Sequence, residues 1–149
     1  MEKPKILPPT WLLITLIAML VLRFLAPVWV ILPAMWNLLG SLFVLPGLAI
    51  ELAADQAFHR ARTTVRPFEE SSTLVTSGLF RISRNPMYLG FVLVLIGVAV
   101  LLGALTPCLL VLAFAVLIDR MYIPVEERML AARFGSEYLE YKGRTGRWL

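Results

Sequence analysis

Between Trp11 and Ile50 the chain carries one charged residue, Arg23, and between Met87 and Ile118 it carries none. A helix rises 1.5 Å per residue and crosses a bilayer in roughly 20 residues, so each run is too long for one crossing and must fold back. Pro27 and Pro33 bracket the first turn, which predicts helices near 11–31 and 35–57. Gly103-Ala104-Leu105-Thr106-Pro107 breaks the second run and predicts helices near 86–102 and 106–122. Thr106 is read as the N-cap of the latter, with Pro107 at its first position. The helix near 86–102 is short for a span and asks for a thin or tilted local bilayer. The fold class expected is therefore all-α: a polytopic membrane helical bundle with about four transmembrane helices. A cytoplasmic helical tail over 124–149 completes a single domain, 1–149.

Composition agrees. The chain is 59% hydrophobic and 16% charged, with a mean hydropathy of +0.79. Soluble domains are about a quarter charged, and a water-soluble core cannot absorb this apolar excess. Lys3 and Lys5 precede the apolar stretch Trp11–Leu22 in the manner of a signal peptide. The remainder is just as apolar and no small-residue cleavage site follows, so retention is expected.

Basic residues set the expected orientation. Lys3 and Lys5 precede the first helix; His59, Arg60, Arg62, Arg66, Arg81 and Arg84 lie between the second and third. Arg120, Arg128, Arg133, Lys142, Arg144 and Arg147 follow the fourth, and the two opposite loops carry no charge. The positive-inside rule places both termini and the central loop in the cytoplasm. The net charge of +4 thus reports topology and anionic headgroups, and no nucleic-acid partner is expected. Arg23 is expected to snorkel or to pair inside the bundle, the alternative being a polar cavity. Gly40, Gly47 and Ala54, and likewise Gly90, Gly97 and Ala104, recur every seven residues as stripes that let helices approach closely. Cys108 is the only cysteine and His59 the only histidine, so neither an intramolecular disulfide nor a metal site is expected.

Polar residues gather in two segments that this topology puts on one side. In the first, Asn85-Pro86 is an N-cap followed by proline at the first helical position, with Tyr88 one turn on. The same helix end, with free N–H groups, attracts a carboxylate. In the second, Glu126 and Glu127 follow Pro124 in the expected first turn of a new helix, where they favour the helix dipole. Alternatively, one carboxylate holds ribose hydroxyls or balances a cation while the other faces water. Phe134-Gly135-Ser136 reads as a helix end and a new cap. Phe134, Tyr138, Tyr141 and Trp148 are read either as the lining of an adenine pocket or as aromatics resting on the membrane surface.

Several stretches carry a resemblance: Leu74-Val75-Thr76-Ser77-Gly78, Phe80-Arg81, Arg84-Asn85-Pro86-Met87-Tyr88-Leu89-Gly90, Glu126-Glu127 and Phe134-Gly135-Ser136-Glu137-Tyr138-Leu139-Glu140-Tyr141. In this order and spacing the C-terminal half resembles the isoprenylcysteine carboxyl methyltransferase family and its phospholipid methyltransferase relatives. The resemblance implies S-adenosylmethionine as cofactor and a lipophilic small-molecule or lipidated substrate arriving from the membrane lipids. It implies cofactor contacts at Ser72, Thr73, Leu74, Val75, Phe80, Asn85, Pro86, Met87 and Tyr88, while Arg84, just before the cap, reinforces attraction for the cofactor's carboxylate. Glu126 is implied at the reacting end, and Glu126 or Glu127 is the proton acceptor if the nucleophile is an amine or thiol. Two departures stand out. The family's usual Arg-His-Pro is Arg84-Asn85-Pro86 here, and the arginine that eukaryotic members place four residues before the first matching glutamate is Tyr122, with Arg120 nearby as the candidate replacement. The methyl acceptor stays open between a carboxylate, an amine and a thiol. Two other readings also stay open: an NADPH-dependent membrane reductase on a similar scaffold, and a non-enzymatic membrane scaffold. The sequence sets no oligomeric state.

Overall fold

The computed structural model describes residues 6–25, 34–63 and 72–149. The expected turn at Pro27 and Pro33, the helix end over 26–31, and Lys3, Lys5 and Arg66 lie outside the described residues.

The first helix, α1 (Pro8–Leu25), starts earlier than expected because Pro8 and Pro9 occupy its first turn, where missing N–H groups cost nothing. A 3₁₀ segment, Ala34–Gly40, leads into α2 (Ser41–Arg60), which runs three residues past the expected end and carries Pro46 inside it. Helix α3 (Pro86–Leu102) has the expected bounds and ends at Gly103, whose φ of 64° permits a left-handed cap.

The next stretch differs most from expectation. Helix α4 (Leu105–Leu117) has Ala104 at its N-cap position, so Thr106 is inside the first turn rather than capping it. No new helix starts at Pro124. A π-turn, Ile118–Tyr122, carries α4 straight into α5 (Ile123–Phe134), giving one helix from Leu105 to Phe134. The wider turn accommodates Pro124, which has no N–H to donate to the preceding turn, so the proline need not break the helix. The dipole explanation for Glu126 and Glu127 falls with the separate helix end. Gly135, at φ 54°, then redirects the chain into α6 (Ser136–Arg144); Ser136 is its first residue and not its cap.

Three helical segments are long and apolar enough to cross a membrane: Pro8–Leu25, Met35–Arg60 and Leu105–Phe134. The 17-residue α3 is the shorter apolar fourth. Leu13, Ile17, Leu20 and Phe24 of α1 and Leu42, Leu45, Leu48 and Leu52 of α2 are exposed. Side chains of this kind facing outward along whole helices need lipid as their solvent, and the protein is an all-α integral membrane bundle. The Leu105–Phe134 helix is about 45 Å long against a hydrocarbon core of about 30 Å, so its charged end, α5, projects beyond that core.

The small-residue stripes join α2 to α3 in antiparallel register. A β-carbon on Gly97 would lie 2.6 Å from the Gly40 carbonyl, and one on Gly90 would lie 3.0 Å from that of Gly47. The core proper centres on α3, where Tyr88, Phe91, Leu95 and Ala99 meet Met19 of α1, Val111 and Phe114 of α4 and Ile118 of the π-turn. Arg23 pairs within the bundle: its Nε donates to the Leu102 carbonyl (2.9 Å) at the C-terminal end of α3.

Candidate functional site

The entry to α3, the projecting α5 and the C-terminal tail meet in one polar junction. Glu127 lies at its centre, buried to 8% exposure. Its Oε1 accepts from Arg84 Nη2 (2.9 Å) and Arg147 Nε (3.1 Å), and its Oε2 from Lys142 Nζ (2.9 Å) and Arg147 Nη2 (3.2 Å). Burial alone would raise this carboxyl, but the hydrogen bonds from Arg147, Lys142 and Arg84 prevail and hold it at about 2. Arg147 also reaches Asp119 of the π-turn (3.3 Å), which accepts in turn from Trp148 Nε1 (3.0 Å).

The loop before α3 is laced to the same tail. Arg84 N–H donates to the Gly146 carbonyl (3.0 Å), and Ser83 and Gly146 form an isolated parallel bridge. Arg84 Nη1 donates to the carbonyls of Lys142 (3.0 Å) and Thr145 (2.6 Å). Arg84 is thus held by the tail and Glu127, while its Nε is buried without a hydrogen-bond partner among the described residues. Asn85 does occupy the N-cap position of α3, but its side chain makes no capping bond. Its Nδ2 donates instead to the Arg147 carbonyl (3.0 Å), while its backbone N–H is taken by Ser83 Oγ (3.1 Å).

Glu126, the preceding residue of α5, faces a different neighbour. The Tyr88 hydroxyl, one turn into α3, donates to its Oε1 at 2.6 Å. Burial pushes the Glu126 carboxyl up to about 7, with the Tyr88 hydrogen bond opposing the shift. One carboxylate therefore balances cations, as the sequence allowed, but its neighbour pairs with a phenol rather than facing water.

The remaining candidates divide. Thr73, Leu74 and Val75 line a cleft of about 700 Å³ with Ala53, Gln56, Ala57 and Arg60 of α2. Ser72 is held beside it by Thr63 Oγ1 and the Arg62 carbonyl. Phe80 is buried with Ala54 and Val75, edge-on to Phe58, and Met87 packs on that cluster; Pro86 is also buried. Arg120 is not brought to the junction: its side chain is 82% exposed, 3.9 Å from Asp119. Tyr122, at the position of the family's arginine, is buried and donates to the Ile6 carbonyl (2.7 Å). Tyr138 and Tyr141 are core residues, Tyr141 donating to the Phe80 carbonyl at 2.6 Å, and burial raises both phenols to about 12.

Sequence reading missed Asp119, Lys142 and Arg147 as members of the junction, and Trp148, read as a pocket or surface aromatic, donates to Asp119 instead. The one signal was the cluster of charges after residue 140, which topology already accounted for.

A family model described as phospholipid methyltransferase matches residues 35–137, spanning α2, α3, the π-turn and both glutamates. The chain belongs to the phospholipid methyltransferase family. Within the curated relatives, it is 37% identical over 107 residues to protein-S-isoprenylcysteine O-methyltransferase A of Arabidopsis thaliana, covering 68% of this chain and 53% of the relative. It is 39% identical over 116 residues to protein-S-isoprenylcysteine O-methyltransferase of Saccharomyces cerevisiae, covering 74% of this chain and 47% of that protein. An uncharacterized protein of Haemophilus influenzae is 38% identical over 63 residues, 42% of this chain and 100% of its own length. The chain spans about half the length of the two named methyltransferases. No solved structure matches it significantly.

Proposed function

We propose that this chain is a methyltransferase that moves a methyl group from S-adenosylmethionine to a lipophilic, membrane-partitioned acceptor. The observation that carries the reading is the Tyr88–Glu126 pair, which sets a partly buried carboxylate beside the N-terminus of α3, within the region shared with the family. A carboxylate in a partly apolar setting suits a sulfonium cation, whose charge gains more from a fixed anion there than in water. The cleft between α2 and residues 73–79 is large enough for a nucleoside and offers an apolar floor with Thr73, Thr76 and Ser77 in its lining.

The donor, when bound, supplies an already activated methyl group, so the protein's work is alignment and exclusion of water. Glu126 holds negative charge near the reacting end, and Tyr88 fixes its rotamer. The Glu127 network clamps the C-terminal tail against the entry to α3, holding those two side chains in register and closing the junction. The apolar helices α1 to α4 that lead to the junction fit an acceptor that partitions into lipid.

Binding of labelled S-adenosylmethionine and of NADPH to the purified chain in detergent tests the reading: saturable binding of the former is expected, and binding of NADPH alone would replace it with the reductase reading. We infer further that the termini and the 58–85 loop are cytoplasmic, from the one-sided basic residues. With Cys108 replaced by alanine, cysteines at Arg144 and Met35 should then label from opposite sides of the membrane.

A further inference from the structure

At the end of the bundle away from the junction, charge and hydrogen bonding are left unbalanced. The 17 residues of α3 put about 25 Å between the two ends. Arg23 is half-buried at the far end, where its Nε donates to the Leu102 carbonyl, a neutral group. No carboxylate pairs with it among the described residues, and the sequence holds none nearby. Residues 3–50 contain no aspartate or glutamate, and residues 87–118 carry no charge of either sign. Glu51, the first acidic residue along α2, lies about 20 Å down the helix from Asn37. At the junction, by contrast, Arg84, Lys142 and Arg147 all reach Glu127.

Asn37, in the 3₁₀ segment that leads to α2, flanks the same end of α3. A β-carbon on Gly103, the residue after Leu102, would lie 2.8 Å from Asn37 Oδ1 and 3.1 Å from Nδ2, so the bare glycine is what admits the amide. Oδ1 is fully buried and accepts no hydrogen bond among the described residues. A buried amide oxygen without a donor is costly, as is a half-buried cation without an anion. Trp36 beside Asn37 and Phe24 and Leu25 beside Arg23 are exposed. Tryptophan at a helix end marks the level of lipid head groups, which puts Arg23 and Asn37 within reach of phosphate.

We propose that this end of the bundle binds one phospholipid whose head group joins a single negative charge to a hydroxyl, a phosphatidylglycerol. Its phosphodiester accepts from the two Nη groups of Arg23, whose fork matches a pair of phosphate oxygens. Its glycerol hydroxyl donates to Asn37 Oδ1. Phosphatidylcholine has the phosphate but no donor, and its own cation cancels the charge that Arg23 lacks, so it meets neither need in full. The bound lipid ties α1, the 3₁₀ segment and the end of α3 together in the leaflet remote from the junction. The site is independent of the methyl-transfer reading.

The experiment is a titration of the full chain, purified in detergent and stripped of lipid, with phosphatidylglycerol or phosphatidylcholine, read by native mass spectrometry. One phosphatidylglycerol should bind saturably and about tenfold more tightly than phosphatidylcholine, and Arg23→Gln should weaken it by about tenfold. Asn37→Ala should weaken phosphatidylglycerol by about threefold and leave phosphatidylcholine unchanged, because the amide meets only the hydroxyl. Phosphatidylglycerol should also raise the unfolding temperature of the wild type but not of Arg23→Gln. Arg144→Gln, which removes an exposed cation at the other end, should change none of these values. Equal affinity for the two lipids, or unchanged phosphatidylglycerol affinity in Arg23→Gln, overturns the proposal. If Arg23→Gln does not fold, Arg23→Lys replaces it, keeping the charge and losing the fork. Unchanged affinity in that variant and in Asn37→Ala overturns the proposal equally. Displacement of the lipid by free glycerol 1-phosphate at equal concentration would make the ligand a soluble phosphate ester and overturn the lipid assignment.

Discussion

Tyr88 on α3 and Glu126 on α5 share a 2.6 Å hydrogen bond across 38 residues of sequence. The bond joins two segments that both lie within the family match, and burial leaves Glu126 with a carboxyl at about 7, near neutral pH.

Glu126→Gln should lower methyl transfer by at least about tenfold, roughly 1.4 kcal/mol of transition-state stabilisation, with the fold retained. The pH dependence follows from the sign of the shift. A carboxyl raised from about 4.3 in the unfolded chain contributes stability below that value, and loses it as pH rises through about 7. Affinity for the cationic cofactor should run the other way and strengthen as pH rises through about 7. Calorimetry across pH 5.5–8.5, about 1.5 units to either side of that value, checks both trends. A flat affinity profile in the wild type, or one that persists in Glu126→Gln, would detach Glu126 from the cofactor.

Glu127→Ala leaves Arg84 buried without its carboxylate, and removing one partner of a buried ion pair costs about 3–5 kcal/mol. Thermal unfolding in detergent should show this loss at neutral pH. Because the Glu127 carboxyl is lowered to about 2, its stabilisation is present above the unfolded value of about 4.3 and fades as pH falls toward 2. The wild type and the variant should therefore converge in stability in acid.

Asn85→Ala removes the bond from Nδ2 to the Arg147 carbonyl and should cost about 1 kcal/mol. Its signature is faster proteolysis of the last residues, since the bond secures the tail rather than capping α3. Unaltered proteolysis would show that Arg84 and Arg147 suffice to hold the tail.

Gly97→Ala places a β-carbon 2.5 Å from Val44 Cγ2 and 2.6 Å from the Gly40 carbonyl, contacts that require α2 and α3 to separate. Overpacking of this kind costs about 1–3 kcal/mol and should lower the unfolding temperature. Gly143→Ala, where an added β-carbon meets nothing within 4 Å, is the matched control.

Much of the architecture was legible because lipid imposes simple demands. Uncharged runs too long for one crossing dictated folding back, and seven-residue spacing of small residues marked faces able to pack closely, though not which helix each would meet. Proline marked the start of α3 correctly at Pro86 but misled at Pro107 and Pro124. Pro124 reads as a helix start in sequence, yet a π-turn carries the helix through it, because a local change in winding accommodates the proline without a break. Sequence spacing also placed Asn85, Glu126 and Glu127 at helix ends, where local rules assign them to backbone groups. Only the tertiary structure decided that Glu126 turns to Tyr88, that Glu127 gathers Arg84, Lys142 and Arg147, and that Arg120 points away. Those choices depend on a tail folding back onto α3 and α5 across 15 to 62 residues of chain, and no local propensity encodes such a return.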